Sequence, residues 1–180
     1  MDPLIVKVPD ELFAAAESLS FSGTYALPEL KQGPDTYTFA HPLSYNVVVT
    51  NTGGALLVTG LVEGDAETEC VRCLEPAQYN LEGEVEEYFL IPGGEAEISD
   101  EERSEYEVLG EDHEIDLAPL LVAALSIEVP YTPLCDDDCK GLCAGCGANL
   151  NTETCTCEPV EEVDEKPNPF AVLKNLNFDE

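Results

Sequence analysis

An α+β fold with a β-dominated antiparallel core, either a sheet or a partial barrel, follows from three observations on the sequence. Two long stretches alternate apolar with acidic residues at the two-residue period of half-buried strands. Apolar and β-branched runs at residues 45–50 and 55–62 flank Asn51-Thr52-Gly53-Gly54, residues suited to a tight reversal, so a hairpin is expected there. Cysteines gather in close pairs toward the C-terminus. That spacing adds a zinc-ribbon-like attachment, and stretches of helical periodicity add a few short helices.

Taken in order, residues 4–8 read as an opening strand, and Asp10 is placed to cap a helix over 11–19 with Leu12, Ala15, Ala16 and Leu19 on one face. After the hairpin, Val62, Ala66, Thr68 and Cys70 alternate with Glu63, Asp65, Glu67 and Glu69. The strand therefore delivers Cys70 on its less polar face. A second alternation sets Tyr79, Leu81, Val85, Phe89 and Ile91 against Asn80, Glu82, Glu84 and Glu86. Between residues 95 and 116, eleven of 22 residues are acidic beside a lone Arg103, which reads as a solvated excursion without chemistry. Asp116 then reads as an N-cap, Pro119 suits a first turn, and Leu117, Leu120, Leu121, Ala124 and Leu125 recur at helical spacing up to Pro130. The expected division is a core domain over 1–134 with the acidic loop 95–116, a cysteine-rich segment over 135–157, and an acidic linker with a short helical motif over 158–180.

The 180 residues suffice for one sizeable core. Seven Lys plus Arg stand against 38 Asp plus Glu, a formal charge of -31. Such a field repels phosphate backbones and anionic lipid surfaces and favours basic partners, although a strongly acidic surface also serves solubility alone. No apolar run approaches the length of a membrane span, and the N-terminal residues lack the pattern of a signal peptide. A cytoplasmic location is expected.

Eight cysteines in a reducing compartment point to metal ligands or redox thiols rather than disulfides. Cys70-Val71-Arg72-Cys73 and Cys143-Ala144-Gly145-Cys146 are CxxC knuckles, a spacing that lets two thiolates converge on one tetrahedral ion. With Cys135, Cys139, Cys155 and Cys157 they make up eight thiols, the number that two four-thiolate sites require. The local grouping is Cys143, Cys146, Cys155 and Cys157, which leaves Cys70 and Cys73 to meet Cys135 and Cys139 across a long loop. One or two Zn2+ ions are expected, with iron-sulfur ligation, redox pairs and buried free thiols as alternatives. Closed all-thiolate sites have no open position, so their role is structural. His41 and His113 lie apart from the pairs and read as ordinary loop histidines, and no catalytic motif is present. The protein is therefore expected not to be an enzyme.

Cys70-Val71-Arg72-Cys73-Leu74-Glu75-Pro76 resembles the CxRCLxP signature of the YceD family. Glu114-Ile115-Asp116-Leu117, followed by an apolar helix and Val129-Pro130, is similar to the family pattern, as are Cys135, Cys139 through Cys143 and Cys146 through Asn151 to its cysteine-rich form. Lys166-Pro167-Asn168-Pro169-Phe170-Ala171-Val172-Leu173 resembles its terminal motif. The resemblance implies a part in accumulation of large-subunit ribosomal RNA, hence in ribosome biogenesis, without enzymatic activity. A basic ribosomal or RNA-processing protein is the expected partner, reached through the acidic surface and a short helix bearing Phe170 and Leu173. Arg72, Lys140 and Lys174 are the few cations near the motifs, so any limited RNA contact is expected there. A thiol-based redox or zinc-responsive regulator is the competing expectation.

Overall fold

The structure, a computed structural model, describes residues 2–93 and 106–157. The linker and terminal motif, with Phe170 and Leu173, and acidic residues 95–105 lie outside the described residues. The chain divides into two compact units, residues 1–139 and 140–180.

The first unit is built on antiparallel strands. Its elements are β1 (Ile5–Lys7), a 3-10 turn (Asp10–Phe13), β2 (Ser18–Tyr25), β3 (Glu29–Gln32), β4 (Asp35–Phe39), β5 (Leu43–Asn51), β6 (Ala55–Glu69), β7 (Pro76–Leu90), β8 (Glu107–Val108), β9 (Glu114–Asp116) and α1 (Ala118–Glu128). A seven-stranded sheet runs β2-β5-β6-β4-β3, with β7 on the other edge of β6 and β8 beside β7. Strands β1 and β9 form a separate antiparallel pair. The β-dominated antiparallel core is thus present as a sheet. The described residues hold one α-helix and one 3-10 turn rather than several helices.

The expected hairpin forms in the register Asn51↔Leu56 through Ser44↔Glu63. Asn51 secures its turn, accepting the Gly53 N–H on Oδ1 at 2.8 Å and donating from Nδ2 to Leu12 O at 3.0 Å. Both alternations appear as burial: Val62, Ala66, Thr68, Leu81, Val85 and Phe89 face inward while Glu63, Asp65, Glu67, Glu82, Glu84 and Glu86 are exposed. Strands β6 and β7 pair in an unbroken register from Ala55↔Leu90 to Glu69↔Pro76.

The helix expected over residues 11–19 does not form. Only the 3-10 turn is helical, and Ser18 opens β2, which pairs with β5 from Ser18↔Thr50 to Tyr25↔Leu43. The run Ser18-Leu19-Ser20-Phe21-Ser22 has strand alternation, and cross-strand hydrogen bonds outweigh a weak local helix preference. Strands β3 and β4, to which the sequence pattern assigned nothing, pair from Glu29↔Thr38 to Gln32↔Asp35.

The reading of residues 95–116 as a solvated excursion fails over its described part. Leu109 and Ile115 are buried, β8 lies parallel to the end of β7, and β9 pairs with β1. Acidic composition hid two apolar anchors. Asp116 Oδ1 accepts the N–H of Ala118 at 3.0 Å and of Leu4 at 2.8 Å, joining the helix start to the N-terminal strand. Helix α1 stops before Val129, whose extended backbone is what a residue before proline prefers.

Leu121 and Leu125 are fully buried in one core with Leu43, Val47, Leu56, Val58, Val62 and Tyr37. Each such side chain contributes roughly 1.5–3 kcal/mol by leaving water. Gly83 on β7 lets the helix approach closely: a Cβ there would stand 2.7 Å from the backbone carbon of Ala124. Gly83→Ala is expected to lift α1 and to destabilise the first unit by about 1–3 kcal/mol. Urea denaturation checks it, and an unchanged midpoint contradicts this packing.

Candidate metal centre

Strand β6 ends beside Cys70 and β7 begins after Cys73, so the first knuckle is the turn that joins the two longest strands. Cys70 N–H donates to Glu75 O at 2.8 Å, and Leu74 N–H to Cys70 O at 2.9 Å. The segment after α1 returns to this turn. Tyr37 Oη donates to Pro130 O at 2.7 Å. Tyr79 Oη donates to Leu134 O at 2.7 Å and accepts the Leu134 N–H at 2.6 Å. Val71 N–H donates to Pro133 O at 2.9 Å. Cys135 and Cys139 thereby arrive opposite Cys70 and Cys73.

The four sulfurs of Cys70, Cys73, Cys135 and Cys139 all lie within 4.8 Å of one another, and so do those of Cys143, Cys146, Cys155 and Cys157. These are the two groups into which spacing sorted the thiols. Sγ–Sγ separations are 3.8 Å for Cys70 and Cys139, 3.4 Å for Cys73 and Cys135, 3.2 Å for Cys143 and Cys155, and 3.6 Å for Cys146 and Cys155. A disulfide needs about 2.05 Å. The edge of a tetrahedron with ~2.3 Å metal-sulfur bonds is about 3.8 Å. Both groups therefore fit one tetrahedral ion each, and four thiolates suit zinc or iron.

The second cluster is assembled by local backbone bonds. Cys143 N–H donates to Ala148 O and Gly147 N–H to Cys143 O, both at 2.8 Å, while Leu142 bridges Asn149. Lys140 N–H donates to Asn151 Oδ1 at 2.8 Å. Amides also face sulfur, from Gly145 to Cys143 Sγ at 3.4 Å and from Cys157 to Cys155 Sγ at 3.2 Å. In the described residues 140–157 only Gly141 is buried. The segment has no apolar core, so a bound ion would supply most of its stability. The first cluster differs: Cys70, Cys73 and Cys139 are buried with Ala77, with Tyr79 and Leu134 packed around them.

A cation would ease the electrostatics of each cluster. Burial pushes the Cys70 thiol up, but amides of Cys135, Cys73 and Arg72, together with the Cys73 thiol, bring it down to about 6. Cys135 is pushed up to about 12, first by its hydrogen bond with Cys73, then by burial and by Cys139 and Cys70. In the second cluster, hydrogen bonds from the Cys155 thiol and the Cys146 and Gly145 amides lower Cys143 to about 6, while Cys155, Cys146 and Cys143 hold Cys157 up at about 12. One thiolate makes ionisation of its neighbours costly at such separations. A divalent ion removes that repulsion.

Arg72, expected to contact a partner, donates from Nη1 to Cys139 O at 2.9 Å and so ties the first knuckle to the loop carrying Cys139. Sequence reasoning missed Tyr37 and Tyr79 as positioning groups, because Tyr37 lies on a strand that the pattern did not reveal, Tyr79 reads as an inward-facing aromatic residue, and their hydroxyl partners lie on a distant loop. Neither histidine joins a thiol cluster; His113 packs on Phe13 with ring centroids 4.6 Å apart. No helix among the described residues is long and apolar enough to cross a membrane.

A β-sheet domain whose central hairpin closes on one four-thiol site, followed by a second four-thiol unit, is the class of protein these features define. The chain belongs to the YceD family: the model for the large ribosomal RNA subunit accumulation protein YceD matches residues 58–177. It is similar to a large ribosomal RNA subunit accumulation protein YceD of Haemophilus influenzae, 31% identical over 67% of this chain and 65% of that one. It is also similar to the chloroplastic YCED homolog 1 of Zea mays, 30% identical over 66% of this chain and 49% of that one. An uncharacterized protein of Mycobacterium leprae is 33% identical over 62% of this chain and 51% of its own length. The chain thus spans about half the length of the mycobacterial and maize relatives that it matches. No solved structure matches it.

Metal binding must displace the protons of Cys135 and Cys157, so affinity is expected to fall as pH drops and to fall most steeply below about 6, where Cys70 and Cys143 also take protons. A chelator is expected to strip the exposed second cluster first, leaving the first unit folded. Metal content followed alongside circular dichroism checks both statements. Simultaneous loss of both ions, or affinity independent of pH, contradicts them.

Proposed function

We propose that this chain is a non-enzymatic factor in ribosome biogenesis that supports accumulation of large-subunit ribosomal RNA. The observation that carries this reading is the family match over residues 58–177, together with relatives from a bacterium and a chloroplast that bear that name. It acts in the compartment where ribosomes assemble, by binding a basic ribosomal or RNA-processing protein. The formal charge of -31 supports such a partner and opposes extended contact with RNA. Zinc in both thiol clusters holds the knuckles rigid, and the sequence motif with Phe170 and Leu173 supplies an apolar contact beyond the described residues.

Exposure of Cys135, Cys146 and Cys157 favours a second reading, in which oxidants reach the thiols and metal release signals redox state. The two readings diverge under mild peroxide. Reversible metal loss that switches partner binding supports the regulator, and a complex indifferent to peroxide supports the structural role.

Deleting the gene from its host is expected to lower the ratio of large- to small-subunit ribosomal RNA. The wild-type gene restores the ratio, whereas Cys70→Ser with Cys73→Ser does not. Quantified ribosomal RNA from matched cultures checks this, and a ratio unchanged by deletion overturns the assignment.

A further inference from the structure

The residue after the second cysteine of each knuckle takes a left-handed backbone, Leu74 at φ 62° and Gly147 at φ 75°. Each amide closes the same turn, to Cys70 O and Cys143 O respectively. Glycine adopts this conformation freely, while the Cβ of leucine meets steric resistance there. Burial does not compensate, since Leu74 is 60% exposed. The first knuckle thus holds an exposed apolar side chain in a conformation for which the second knuckle uses glycine, a local strain of the kind that gathers at functional positions.

Acidic residues surround Leu74. Its side chain lines an open groove of about 400 Å³ with Pro34, Pro76, Asp35, Glu67 and Glu69. A neighbouring groove of about 610 Å³ shares Thr38 and Glu67 with it and adds Asp65. Among the described residues, no Lys, Arg or His lines either groove. Lys31, opposite Thr36 in the β3–β4 register, is ion-paired to Glu29 at 3.4 Å. The carboxylates do not converge on a point: among the described residues, the groups close enough together to hold a metal ion are the two thiol clusters. Separated acidic groups beside one exposed leucine complement several cations and an apolar side chain carried on one polypeptide. The same charges repel phosphate groups.

We propose that this groove docks a lysine- or arginine-rich protein segment, with an apolar side chain of that segment packed on Leu74 and its cations at Asp35, Glu67 and Glu69. Resting on the reading of a basic protein partner, this assignment adds where that partner binds.

Two probes test it on the zinc-loaded full-length chain: proteins extracted from purified large ribosomal subunits, and a short synthetic lysine peptide with a central leucine, compared with an all-lysine peptide. Leu74→Gly relaxes the backbone, so melting temperature and metal content are expected to hold, while the leucine-bearing peptide binds about tenfold more weakly and the all-lysine peptide is unaffected. Glu67→Gln with Glu69→Gln is expected to weaken both peptides about tenfold and to reduce their salt dependence. Wild-type peptide affinity in both variants overturns the groove assignment, even where ribosomal proteins are still retained. Retention of no ribosomal protein, with Leu74-dependent peptide binding intact, overturns the ribosomal partner and leaves the groove. Tighter binding of single-stranded RNA than of either peptide overturns both.

Discussion

The unbroken antiparallel ladder between β6 and β7 is the constraint on which the first unit depends. Period-two alternation over residues 62–69 of β6 and 77–86 of β7 sets Val62, Ala66, Leu81 and Val85 on one face and Glu63, Asp65, Glu67, Glu82, Glu84 and Glu86 on the other. The inward face gives α1 its platform, with Gly83 permitting close approach. The ladder's far end is the knuckle itself. Register therefore decides where Cys70 and Cys73 stand, and a one-residue slip would turn the inner face outward.

What the ladder cannot supply is the other half of the first cluster. Cys135 and Cys139 come from the chain after α1, steered back by the hydroxyls of Tyr37 and Tyr79 and by the Val71 amide. These groups hold the loop by its backbone, and the Leu134 side chain packs beside the thiols. Arg72 completes the arrangement from within the knuckle, through the Cys139 carbonyl. Buried thiols at such separations are electrostatically awkward when several ionise, and a divalent cation is the simplest group that reconciles them.

The two thiol clusters differ in what supports them. The first is embedded in apolar side chains, whereas the second is held by turn hydrogen bonds and amide-to-sulfur contacts in a segment without a core. Comparable sulfur geometry thus stands on different foundations. The acidic faces of β6 and β7 set Glu63 directly opposite Glu82, a like-charge pair that costs stability in isolation.

Much of this was legible from sequence alone, because the signals were local. Alternation revealed β6 and β7, a glycine-rich reversal revealed the hairpin before them, and CxxC spacing with its neighbours sorted eight thiols into two groups. The failures were non-local. Residues 11–19 carry a helix-like pattern, yet β5 offered Ser18 and its neighbours a strand to pair with. Residues 106–116 look solvated by composition, yet Leu109 and Ile115 found a core prepared elsewhere. Sequence by itself determined which residues can bind metal and which faces are acidic, since chemistry and period are properties of the chain. Only the tertiary structure decided that Tyr79 would hold Leu134 and that Leu74 would stand exposed beside Glu67 and Glu69, because those meetings depend on segments brought together by folding.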